Sequence, residues 1–127
     1  CMQGEAMAMA NGDPRYIGYL VGRTYARGFP KYVRDFNTAF LSLPALPSQK
    51  LERASSDAEV VVRSIPTEKH GTYIAIVNTG MKDKAAVEVE LPAGKVTDAA
   101  TGTPVESAGG KVKLSLYPYQ LRALNVK

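Results

Sequence analysis

A chain of 127 residues with 45% hydrophobic and 22% charged residues can bury a real core, which excludes a disordered polymer and leaves room for one domain or a small domain with an appendage. Its net charge of +4 comes from Lys and Arg scattered among acidic residues, so no basic block supports nucleic-acid binding. The one cysteine, Cys1, cannot close an internal disulfide, and no apolar run approaches the roughly 18–20 residues of a bilayer-spanning helix.

The opening CMQGEAMAMANGD has neither a basic leader nor a long apolar stretch, so it does not read as a signal peptide. It reads as an interior stretch of a larger protein, already helical at AMAMA. Secretion or periplasmic export is then expected to depend on a signal further upstream. Asp13 followed by Pro14 makes a helix start, because Asp caps the free N–H groups and Pro at the first position lacks one. Ile17, Leu20, Val21, Thr24 and Tyr25 recur at helical spacing until Gly28 supplies a stop. Gly18 and Gly22, four apart, would admit a closely packed neighbour.

Pro30 opens a second predicted helix, with Tyr32, Val33, Phe36, Phe40 and Leu43 on one stripe and an end at Leu43–Pro44. The short link at Gly28 and Phe29 requires a sharp corner between the two helices. Pro44 and Pro47 then forbid helix and favour an extended crossing, so the domain division falls there: a helical segment and linker over 1–47 and a β-domain over 48–127.

Beyond the linker the hydrophobic period drops from 3.6 to 2, the spacing of strands. Strands are predicted over Glu59–Ile65, Thr72–Asn78, Val87–Leu91, Lys95–Ala99, Thr103–Glu106, Lys111–Leu116 and Gln120–Val126. Turn signals separate them: Glu68–Gly71, Asn78–Gly80, Pro92–Gly94, Thr101–Gly102 and Gly109–Gly110. No helix-length crossover lies between them. The fold class is therefore mostly β, an antiparallel β-sandwich of about seven strands preceded by an α-helical segment.

Candidate chemistry is sparse. His70, the only histidine, sits in the predicted Glu68–Gly71 turn and pairs with no second metal ligand at normal spacing. Glu88 and Glu90 share one face of a strand like a pair of catalytic carboxylates, but their strand's other face is apolar, so they read as solvated charges. Cys1 as an N-terminal nucleophile lacks any accompanying oxyanion-hole or processing motif. Arg15, Arg23, Arg27, Lys31 and Arg34 read as a solvated or interdomain face. No phosphate loop, dinucleotide fingerprint or calcium loop is present, so no catalytic residue, metal ligand or cofactor is assigned. Aromatic rings offer one binding possibility, since flat rings can meet the apolar face of a sugar: Tyr73, Tyr117 and Tyr119 are the candidate carbohydrate contacts.

The stretches GTYIAIVNTG (71–80), VEVELP (87–92), VTDAATGTPV (96–105) and KVKLSLYPYQLRALNV (111–126) resemble the C-terminal β-sandwich of multidomain glycoside hydrolases. NGDPRYIGYL (11–20) and YVRDFNTAFLSLPALPS (32–48) look like the last barrel-side helices and the crossing into that sandwich. The resemblance implies an accessory domain bracing an upstream (β/α)8 catalytic domain of the same protein, in a carbohydrate context. It carries over no catalytic residue, because in such barrels the carboxylates sit at strand ends with no counterpart here. The alternative is a carbohydrate-binding module using the surface tyrosines.

Overall fold

A computed structural model describes residues 2–11 and 30–127, with the side chains of 2–5, 8 and 30–33 outside the description. The predicted helix at 14–27, the Gly18 and Gly22 face, the corner at Gly28 and Phe29, and Cys1 lie outside the described residues.

Among the described residues, two helices precede the strands. Helix α1 (Met2–Asn11) buries Ala6, Met9 and Ala10, the i, i+3, i+4 positions of one face. Its last residue, Asn11, donates from Nδ2 to the Met7 carbonyl at 2.8 Å, folding the side chain back onto the last turn. Helix α2 (Pro30–Leu41) begins on proline as predicted and buries Phe36, Ala39 and Phe40, with Leu43 continuing the stripe just past its end. The final turn is closed by Ser42 and Leu43 N–H groups donating to Ala39 and Phe40 carbonyls.

Seven strands follow: β1 (Gln49–Lys50), β2 (Val60–Pro66), β3 (Thr72–Asn78), β4 (Lys84–Glu90), β5 (Val96–Asp98), β6 (Lys111–Leu116) and β7 (Leu121–Val126). They form a five-stranded sheet in the order β1-β2-β3-β7-β5 and a two-stranded sheet of β4 and β6, antiparallel throughout. The fold is mostly β, an antiparallel sandwich as expected.

Two differences from the predicted strands have local causes. Thr103–Glu106 forms no strand; a single bridge joins Thr97 to Pro104, and the Val105 N–H reaches the Val96 carbonyl. Pro104 has no N–H to give, so the ladder cannot extend through it. Strand β4 starts three residues earlier than Val87, because the register slips between Lys84 and Val87 and Ala86 takes a positive φ of 54°. That bulge breaks the alternation by which a strand is recognised.

The inter-sheet core lies between Val60, Val62, Ile74, Ile76, Leu124 and Val126 of the large sheet and Val87, Val89, Val112, Leu114 and Leu116 of the small one. Each set is every second residue of its strand. The opposite face of the large sheet is covered as well. Ile65, Ala75, Val77, Leu121 and Ala123, with Val61, Tyr73 and Tyr119 at the margin, share one buried cluster with the apolar faces of α1 and α2. This double coverage is why successive residues of β3 and β7 are buried on both faces whereas β6 alternates wet and dry.

Arg63 on β2 fastens the helical layer to the sheet. Its Nε donates to Ser48 Oγ at 2.8 Å, and its two terminal nitrogens reach the Ala10 and Ser48 carbonyls at 3.3 Å each. A guanidinium beside the carbonyl end of α1 also meets the negative end of the helix dipole. The linker is thereby tied down at Ser48 and continues directly into β1, whose Gln49 and Lys50 pair with Ser64 and Arg63.

Candidate functional site

The residues singled out from the sequence are placed as follows. Glu88 and Glu90 lie on the outer face of β4, opposite Lys113 and Lys111 of β6, with N···O distances of 3.7 Å in each pair. They are cross-strand ion pairs on a solvated face, worth at most about 1 kcal/mol each. Among the described residues, no group of three or more His, Cys, Asp or Glu side chains comes together to hold a metal. No described helix is long and apolar enough to cross a membrane.

The three tyrosines do not form a common platform. Tyr73 stands in register with Asn125, whereas Tyr117 and Tyr119 belong to the turn that leads into Leu121, the partner of Val77. Four strand residues at ~3.3 Å each, roughly 13 Å, therefore separate the two places. Tyr117 donates its hydroxyl to Asp35 Oδ2 on α2 at 3.1 Å. Its backbone carbonyl accepts from Asn78 Nδ2 at 3.0 Å, and its N–H donates to Gln120 Oε1 at 3.0 Å. Tyr119 adopts a left-handed φ of 59°, uncommon for a residue with a bulky side chain, and packs against the helix-facing cluster. Both rings thus serve the seam between α2 and the large sheet.

Tyr73 is differently placed. It is half-buried, packs against the helix-facing cluster, and borders an open groove of ≈ 650 Å³ between the linker and the turn that joins β2 to β3. Pro44, Leu46 and Pro47 form the linker wall. Pro66 to His70, together with Tyr73, form the other wall. The volume lies within the ~300–1,000 Å³ of ordinary small-molecule sites.

The turn is held rigidly. The Thr67 N–H and hydroxyl both donate to the Gly71 carbonyl, at 3.0 and 2.6 Å. The same hydroxyl accepts the His70 N–H at 2.9 Å, and Asn125 Nδ2 donates to the His70 carbonyl at 2.8 Å. Gly71 has φ 73°, and a Cβ there would collide with the Val126 carbonyl. With the backbone fixed in this way, the exposed side chains of Glu68, Lys69 and His70 project from a defined frame.

His70 thus occupies the turn predicted for it. Sequence reasoning did not find the groove. The nearness of Glu68, Lys69 and His70 to Tyr73 was readable from a turn running directly into a strand. The linker wall was not, because nothing local says that residues 44–47 fold back beside residues 66–73.

No protein-family model and no curated protein sequence matches this chain. Solved structures do share its fold. AmyP, solved in complex with maltose, is similar over 77% of this chain and 20% of its own, at 20% identity and a TM-score of 0.55. An inferred alpha-N-acetylgalactosaminidase from Bacillus halodurans C-125 is similar over 76% of this chain and 24% of its own, at 13% identity and a TM-score of 0.56. An Anoxybacillus alpha-amylase is similar over 77% of this chain and 22% of its own, at 21% identity and a TM-score of 0.50. At these identities the likeness is one of fold. The fold expected from the sequence, a sandwich occurring as a part of larger glycoside hydrolases, is the fold observed. This chain spans between 20% and 24% of the length of those three structures.

Proposed function

We propose that this chain is the C-terminal accessory part of a glycoside hydrolase-like protein, in which residues 48–127 brace a (β/α)8 catalytic domain lying upstream in the same polypeptide. One observation carries the reading: about three quarters of this chain matches only about a quarter or less of the chains of enzymes such as an alpha-amylase. The helical segment over 1–47 is, on this reading, where the sandwich meets that upstream domain. Leu41 supports a meeting place on that side, because it is a largely exposed apolar side chain at the end of α2. The outer face of the small sheet carries paired charges instead.

Such a domain acts through stability rather than through chemistry. Its contribution is to bury apolar surface of the catalytic domain and hold it in one arrangement, with the reacting carboxylates supplied by the barrel. The test is to express the full reading frame with and without residues 1–127 and to follow hydrolysis of aryl glycosides together with the melting temperature. The reading expects the truncated protein to melt several degrees lower and to lose activity on warming before the intact protein does. A reading frame with no barrel upstream, or a truncation that changes neither quantity, would contradict it.

A further inference from the structure

We propose that the groove bordered by Tyr73 is a binding site for a neutral pyranose, at the end of or within a saccharide chain. The site stands on its own lining and does not depend on whether a catalytic barrel precedes this chain.

The lining selects the ligand class. From the two walls, Pro44 and Pro47 on one and Pro66 and Tyr73 on the other contribute stiff, largely apolar side chains that lose little entropy on contact. Along the rim, Glu68, Lys69 and His70 supply an acceptor, a donor and a group able to do either. A purely apolar ligand would cover these polar groups without satisfying them, which is costly. An anion would meet the Glu68 carboxylate, and a cation would meet Lys69. With one formal negative and one formal positive charge, the rim favours a ligand without net charge. A sugar ring answers both demands at once, presenting C–H groups on one face and hydroxyls around its edge.

The site is also prepared in advance. The Thr67, Gly71 and Asn125 hydrogen bonds hold the rim in place, and the Arg63 contacts to Ser48 hold the linker wall. Little ordering then remains to oppose a weak ligand. Of the three tyrosines, this assigns carbohydrate contact to Tyr73. Tyr117 and Tyr119 keep the structural role given by their contacts with α2 and the helix-facing cluster.

The test uses the 127-residue chain and ¹⁵N-resolved NMR, titrated separately with maltotriose, methyl galactoside and N-acetylgalactosamine at millimolar concentrations. At least one should shift amides confined to Thr67–Tyr73 and the non-proline residues of 44–48. Glu68→Ala and His70→Ala, both at exposed rim positions, should weaken binding severalfold while leaving the rest of the spectrum unchanged. Tyr73→Ala should weaken it about tenfold or more, and Tyr73→Phe should retain it, because the ring supplies the contact. Should Tyr73→Ala fail to fold, the two rim variants decide. The proposal is overturned if no saccharide shifts these amides, if the shifts map to Tyr117–Gln120, if the rim variants bind like the parent, or if a proline-rich peptide occupies the groove and no sugar does.

Discussion

The two faces of the five-stranded sheet are buried by different means. Towards the small sheet, β-branched and leucine side chains from both layers interdigitate, with Val62, Ile74 and Ile76 meeting Val89, Val112 and Leu116. Towards the helices, the sheet offers Ala75 and Ala123, which stand opposite each other in register, flanked by Ile65, Val77 and Leu121, and the helices contribute Phe36, Phe40 and Met9. A sheet-on-sheet core can be assembled from strands alone. The helix-facing core cannot: small sheet residues leave a shallow surface that only a large side chain from another layer can fill to native density. The described helices α1 and α2 therefore share a core with the sheet they cover, even though their sequence pattern sets them apart.

The largest expected effect that would break this comparison is Phe36→Ala. Phe36 is 1% exposed, so its removal should leave a cavity over the sheet and cost about 3–5 kcal/mol in urea unfolding. A loss well under 1 kcal/mol would mean that the helices merely lie on a sandwich that is stable without them.

Arg63→Ala should come next. It removes the contacts to Ser48 and to the end of α1. About 1–3 kcal/mol should be lost, with amide exchange in α1 accelerated more than in β4 and β6. Equal acceleration in both places would show that Arg63 serves the sheet and not the helical layer.

The smallest effect sharpens the other side of the comparison. Lys84 Nζ contacts Glu59 Oε1 at 2.7 Å and Asp57 Oδ2 at 3.2 Å, pinning the segment before β2 to β4. The Glu59 N–H lowers the Asp57 pKa from its ordinary 3.8 more than desolvation raises it, and the hydrogen bond and charge of Lys84 lower it further. The hydrogen bond to Glu59, followed by Asp57, raises Lys84 above its ordinary 10.5, again against desolvation. The Asp57 contribution is complete above pH 3.8 and fades as pH falls through the lower folded value. The Lys84 contribution is complete below pH 10.5 and fades as pH rises through the higher one. Lys84→Met should therefore lower the melting temperature by less than Arg63→Ala, evenly across neutral pH, with the gap closing at both extremes. A gap that changes between pH 5 and 9 would point to a different partner.

Much of the strand order was legible because alternation and turn residues are local signals. The predicted β3 and β6 match residue for residue, and β7 differs by one residue at its start. What was not legible depends on distant parts of the chain. Strand β1 is two residues long and has no period of its own; its pairing with β2 follows from the anchoring of Ser48 by Arg63. The stripe of Phe36, Phe40 and Leu43 announced a buried face, but not which surface would bury it. The tyrosines were visible as residues and not as neighbours, so only the register of β3 with β7 could separate Tyr73 from the other two.

Thermal unfolding of residues 1–127 beside residues 48–127 tests most directly whether helices and sandwich make one unit. If they share one core, the full chain melts in a single cooperative transition, while the shorter chain loses that transition or melts far lower and binds a hydrophobic dye. A shorter chain that melts at the same temperature, cooperatively and without binding dye, would contradict it.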